Sequence, residues 1–289
     1  MSQTKAQLVS QVSDAQKNTT AGSNAGDSFT GTDANNNTLI GYEAGTAITT
    51  ADDNTAIGRR ALYTNTTGLR NTACGKNALY SNTTANHNTA VGSAALDENT
   101  TGSENTSIGY NTLGVNTTGS SNVAVGAHAL DANTTASNNT AVGEESLGAN
   151  TTGTGNVALG KDALEANTTA SYNTAVGLQA LETNTTGTRN LAIGSFALQG
   201  NTTGSYNHAV GYAALDSNTT GNNNVAVGDN ALQANTTGDS NTSVGNFTLD
   251  AASTGNNNTA LGFAALGANT TASNNTAVGY NALLANTTG

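Results

Sequence analysis

The sequence predicts an all-β chain, a parallel β-solenoid or β-roll of 17-residue coils, and three observations carry that expectation. An asparagine recurs every 17 residues from Asn37 to Asn275, fifteen times without insertion or deletion. A strict period of this length marks a repeat architecture, in which each unit buries its apolar face only by stacking on its neighbours. Second, the period has fixed and free phases. Counting from that asparagine, phase five is Gly in every coil and phase four is Val, Ile, Leu or Cys. Phase three is Ala apart from Leu39, Ser107 and Ser243, and phase nine is Leu in every coil but the first. Third, the unit is too short for two packed helices, and its β-branched Thr, Val and Ile with a constant Gly disfavour continuous helix.

The coil from Asn173 to Arg189 illustrates the elements in order. Thr174-Ala175-Val176 suits a short strand and Gly177 permits a positive-φ corner. Ala180-Leu181 opens a second short extended or turn segment, and Asn184-Thr185-Thr186-Gly187 closes the coil. Strands of successive coils bond to one another, so like side chains stack ~4.8 Å apart. Fifteen coils at that step give a rod on the order of 70 Å. Stacked Asn side chains at phases one and twelve bond one to the next, which accounts for polar letters held so strictly.

Ahead of the array, residues 1–17 read as a short amphipathic helix or a flexible attachment segment, with Ala6, Leu8, Val9 and Val12 partly at helical spacing. Residues 18–36, rich in Gly, Asn and Thr, read as a linker or an irregular first cap; residues 37–289 hold the fifteen coils. The first coil is atypical, with Gly45 and Ile48 where later coils carry Leu and Asn, as expected of a terminal repeat with a neighbour on one side only. The sequence stops at Gly289, two residues short of the next Asn. An open coil end takes up another strand, so either more chain follows this sequence or chains stack end to end into a filament, the expectation favoured here.

The expected core is the aliphatic residue of phase four with the Leu of phase nine. Ala of phase three then faces outward, and the row that includes Ala56, Ala90, Ala141, Ala175, Ala226 and Ala277 is read as the seam of a parallel homotrimer, the alternative being a monomeric solenoid with Ala inside a tight corner. Cys74 takes a phase-four slot and is read as a small buried hydrophobe rather than a reactive thiol.

Composition excludes several functions. A net charge of -11 with only 8 Lys and Arg opposes nucleic acid as a partner. No run of about eighteen apolar residues could insert in a membrane, and the opening residues have no signal-peptide pattern. His87, His128 and His208 stand at three different phases, and the phase-ten carboxylates Asp97, Asp131 and Asp216 alternate with Gly114, Gly148 and Tyr63. No catalytic set, cofactor site or calcium ladder follows from such scatter, and the chain reads as a structural protein rather than an enzyme.

Each Asn-x-Thr is a formal N-glycosylation acceptor: Asn65, Asn82, Asn99, Asn116, Asn133, Asn150, Asn167, Asn184, Asn201, Asn218, Asn235, Asn269 and Asn286. The competing reading is an Asn ladder that closes the turn. Tyr42, Tyr110, Phe196, Tyr212, Phe247, Phe263 and Tyr280 gather at phases six and seven, either as a stripe for a cell-surface receptor or glycan or as singly exposed rings.

The phrase Asn-Thr-Ala-Val-Gly at Asn88 to Gly92, Asn139 to Gly143, Asn173 to Gly177 and Asn275 to Gly279 resembles the head repeat of trimeric autotransporter adhesins. That resemblance implies a left-handed parallel β-roll that trimerises, and a cell-surface adhesin head as one reading. The whole repeat with its Asn-Thr-Thr-Gly tail, and the opening Met1-Ser2-Gln3-Thr4-Lys5-Ala6-Gln7-Leu8, are more similar to tail-fibre and appendage proteins of marine bacteriophages. This second resemblance implies a fibre on a virion or outside the cell, released by lysis without a signal peptide. A rival of another class is an ice-binding solenoid with Thr rows. Against it, adjacent threonines point to opposite faces, and phase two is interrupted by Val123, Val157, Leu191, His208 and Val225.

Overall fold

The structure is a computed structural model and describes residues 16–29 and 33–287. The expected helix over residues 1–17 therefore lies outside the described residues up to position 15. Contacts divide the chain into two compact units, Met1–Asn138 and Asn139–Gly289, and each is a parallel β-solenoid. No helix occurs among the described residues.

In the first unit the strands pair in sequence order: β1 (Thr19–Ala21), β2 (Thr38–Ile40), β3 (Thr55–Ile57), β4 (Thr72–Cys74), β5 (Thr89–Val91), β6 (Thr106–Ile108) and β7 (Val123–Val125). The second unit does likewise with β8 (Thr140–Val142), β9 (Val157–Leu159), β10 (Thr174–Val176), β11 (Leu191–Ile193), β12 (His208–Val210), β13 (Val225–Val227), β14 (Thr242–Val244), β15 (Thr259–Leu261) and β16 (Thr276–Val278). Register holds phase on phase, with Ala175 opposite Ala192 and Val176 opposite Ile193.

Each coil carries one three-residue strand, and the segment after the glycine is turn rather than a second extended piece. Three left-handed residues bend it. In the coil from Asn173 these are Gln179 (φ 55), Leu181 (φ 54) and Arg189 (φ 57). Such a conformation costs about 1–2 kcal/mol for a residue with a Cβ. At phase nine it is offset by complete burial of the leucine, a gain of ~1.5–3 kcal/mol. Gly177 adds a corner at φ 137, and a Cβ there would lie 2.6 Å from the Gly194 carbonyl carbon of the next coil. Backbones meet at this corner too closely for any side chain.

The core differs from the expected one. Because neighbouring strand residues point to opposite faces, phase three goes in while phases two and four go out. Leu181, with Ala180 beside it, fills the narrow interior, and only a methyl fits opposite. Ala56, Ala90, Ala141, Ala175 and Ala226 are accordingly 0% exposed and Ala277 3%. These alanines are interior and offer no surface to a second chain, so they are not a seam. The phase-four aliphatics assigned to the core stand outside instead. Cys74 belongs to that outward row and is half-buried, not enclosed.

Residues 18–29 and 33–36 belong to the solenoid as its first cap. β1 pairs with β2, Asn37 N–H donates to Asn18 Oδ1 at 2.9 Å, and Asn18 Nδ2 donates to Ala34 O at 2.8 Å. The two asparagines are 19 residues apart, so this cap is a longer turn of the same solenoid.

Candidate functional site

The outward strand face is the feature that the fold itself does not consume. In the first unit Ile40, Ile57, Val91 and Ile108 stack in register and are each 36–40% exposed. In the second, Val142, Leu159, Ile193 and Val227 are 37–39% exposed and Leu261 46%. Values in this range mean flanks covered by the coils above and below and an outer side left bare. Beside the column runs phase two, mostly threonine but Val123 in one unit and Val157, Leu191, Val225 and the exposed His208 in the other. Each unit thus carries an exposed aliphatic column flanked by a mostly threonine row.

Two asparagine ladders hold the opposite side. Asn173 N–H donates to Asn156 Oδ1 at 2.9 Å, and its own Nδ2 donates to Gly187 O at 2.8 Å. Asn184 Nδ2 donates to Asn167 Oδ1 at 3.0 Å and to the same Gly187 O at 3.0 Å. One carbonyl thereby accepts from both ladders and closes the coil. Of the glycosylation candidates, Asn65, Asn82, Asn99, Asn116, Asn133, Asn150, Asn167, Asn184, Asn201, Asn218, Asn235 and Asn269 are all 0% exposed. The nitrogen that would carry a sugar is inside the coil. Asn286, in the last described turn, is half-buried.

The paired threonines divide their roles. Thr185 Oγ1 donates to Thr202 O at 3.0 Å and belongs to the fold, whereas Thr186 is exposed. An Asn-Thr-Thr coil therefore presents a single file of outward hydroxyls there, not two.

The aromatic residues of phases six and seven meet across coils. Phe196 and Tyr212 cross edge to face at 5.7 Å, Phe247 and Phe263 at 5.8 Å, and Phe263 stacks on Tyr280 at 5.4 Å. Tyr110 instead meets His128 at 5.3 Å, and Tyr42 is 46% exposed. A further set appears at phase seventeen, where the Arg189 guanidinium lies 5.6 Å from the rings of both Tyr172 and Tyr206. Reading phases six and seven alone missed it.

The histidines stay apart. His128 Nδ1 is 3.3 Å from Asp131 Oδ2, His208 is an exposed strand residue, and His87 sits at a left-handed turn with φ 59. One acidic group was not foreseen: Glu145, Asp162 and Glu165, with carboxylate oxygens within 4.8 Å of one another, could hold a cation. Burial, and then the negative charges of Asp162, Glu145 and Glu182, raise the Glu165 carboxyl above the ordinary range. Side-chain amides enter the same column: Gln179 Nε2 donates to Glu182 Oε1 at 3.2 Å and Gln199 Nε2 to Glu182 Oε2 at 2.6 Å. The group joins phases seven and ten of adjacent coils, so a search along one phase could not find it.

No protein-family model matches the chain, and no curated protein matches it.

Proposed function

We propose that this chain is a structural fibre protein that assembles with copies of itself, as a parallel homotrimer, into a stiff strut outside the cell or on a virion. The observation that carries the reading is the bare aliphatic column on the flat strand face of each unit, exemplified by Ile108 and Ile193. Contiguous apolar surface that repeats without interruption is unfavourable in water and favours association. A column one strand wide is enclosed when three such columns converge about an axis, whereas a pair leaves its flanks wet. Exposed rings such as Tyr212 and Phe263 remain available on this reading for a receptor or glycan. The location rests on the resemblance to phage appendage repeats.

Sedimentation equilibrium of the full chain tests the assembly. The wild type should have the mass of three chains. Ile108→Lys with Ile193→Lys should keep β-type circular dichroism and fall to the mass of one. A wild-type mass of one chain would sink the proposal.

A further inference from the structure

The phase-twelve ladder has one internal break, and the break is polar. In an intact rung Asn218 Nδ2 uses both hydrogens, one to Asn201 Oδ1 at 2.8 Å and one to Gly221 O at 3.0 Å. Asn235 continues the ladder, donating to Asn218 Oδ1 at 2.8 Å and Gly238 O at 3.1 Å. The next rung is Ala252, which is 0% exposed and has no carboxamide. Asn235 Oδ1, aimed along the ladder toward that position, is buried and has no hydrogen-bond partner. Gly255 O, which in other coils accepts from both ladders, here accepts a side-chain bond from Asn241 Nδ2 at 2.8 Å and none from position 252. On the far side Asn269, also 0% exposed, donates from Nδ2 to Ala272 O at 3.1 Å.

A different break shows what an apolar solution looks like. At Ile48, the phase-twelve residue of the first full coil, a large buried side chain fills the rung. Ala252 fills nothing beyond its methyl. A ladder asparagine at that position would have donated to Asn235 Oδ1 and to Gly255 O, and Asn235, Ala252 and Asn269 are all 0% exposed.

We propose that this gap is a binding site for one buried water molecule, which stands where the missing Nδ2 would be and donates its two hydrogens to Asn235 Oδ1 and Gly255 O. The chemistry requires a ligand with two donors at a single small atom, and water supplies them. The site lies inside one unit and does not depend on whether chains assemble. A buried acceptor left unmatched is costly, and internal waters in proteins hold such groups through two to four bonds.

A high-resolution crystal structure of the full chain is the direct test, with ordered density expected within hydrogen-bond distance of both Asn235 Oδ1 and Gly255 O. Density absent, with Asn235 turned to another partner, would overturn the site. Two variants give an independent readout. Ala252→Asn should displace the water, keep both acceptors satisfied and raise the folding equilibrium constant by up to about tenfold through release of the immobilised water. Ala252→Val should displace the water without satisfying Asn235 and fall clearly short of that gain. Equal stabilisation by valine and asparagine would mean a dry gap and would overturn the proposal.

Discussion

Leu39 in the first full coil occupies the interior that phase-nine leucines fill elsewhere, and Gly45 at phase nine makes room for it: a Cβ on Gly45 would lie 2.7 Å from Leu39 Cδ2. The coil has exchanged its large and small residues across the core. Ile48, whose Cδ1 would lie 2.9 Å from the same Cβ, completes the packing in place of a ladder asparagine. What looks like a degenerate repeat conserves interior volume.

Reversal of that exchange is the first prediction. Leu39→Ala should destabilise the first unit by ~2–5 kcal/mol through the cavity it leaves. Gly45→Leu alone should also destabilise, because the new side chain meets Leu39 and Ile48. The double variant rebuilds the pattern of the later coils and should recover most of the loss. Urea denaturation of the three proteins checks this, and additive losses in the double variant would show that the two sites are not coupled.

At the strand-end corner the prediction concerns backbone approach. Gly177→Ala places a methyl 2.6 Å from the Gly194 carbonyl carbon at a φ of 137. The expected loss is ~3 kcal/mol or more, since the clash is with backbone and cannot be relieved by a side-chain rotation. Leu178→Ala, next to it but exposed, should change stability by no more than about 0.5 kcal/mol. Thermal melts of the two variants separate them.

The ladder is tested by Asn184→Ala. The change removes donors to Asn167 Oδ1 and Gly187 O and the acceptor used by Asn201 Nδ2 at 2.8 Å. Buried groups left without partners cost ~1–3 kcal/mol each, so a loss of about 2–4 kcal/mol is expected. Intact mass spectrometry of chain folded before exposure to a glycosyltransferase should show no sugar on Asn184, because its side chain is enclosed. Modification of the folded chain at that residue would contradict the packing.

Much of this fold was legible in the letters, and the failure is instructive. The unbroken period fixed the coil, Gly177 and its equivalents marked the corner, and the Asn and Thr rows announced ladders. Residue size alone exchanges the inside and outside of the strand, because it assigns the larger residue to the core. The narrow interior reverses that rule, since Leu181 arrives from the turn and leaves space for Ala175 but not for Val176. A signal for the correct orientation was present. Ser107 occurs with Thr112 and Ser243 with Thr248, and the structure shows Ser107 Oγ donating to Thr112 O at 2.8 Å and Ser243 Oγ to Thr248 O at 2.7 Å. Paired polar substitutions at phases three and eight betray that the two phases face each other inside the coil. The left-handed leucines carried no such signal, because burial and not backbone preference selects them.

The last prediction concerns pH. Asp97, Asp216 and Asp250 occupy phase ten of their coils, and burial raises each carboxyl above its ordinary value. At Asp97 the neighbouring Glu98 adds to the rise and Lys76 opposes it; at Asp250 the backbone N–H groups of Ala251 and Asp250 oppose it. A raised carboxyl binds its proton more tightly folded than unfolded, so between the unfolded and folded values the native state holds more protons. Stability then falls as pH rises through that window and is greatest below it, the reverse of the usual carboxylate case. Glu43 works in the opposite sense, because Arg60, whose Nε donates to it at 2.7 Å, holds its carboxyl low. That contribution is lost on acidification, but the pair lies at the surface and counts for less. Lowering pH from neutrality toward the ordinary carboxylate range should therefore raise the melting temperature of the full chain. Replacing all three aspartates with asparagine should flatten the rise. A melting temperature that drops steadily over the same interval would mean that paired surface carboxylates, not the half-buried aspartates, set the acid response.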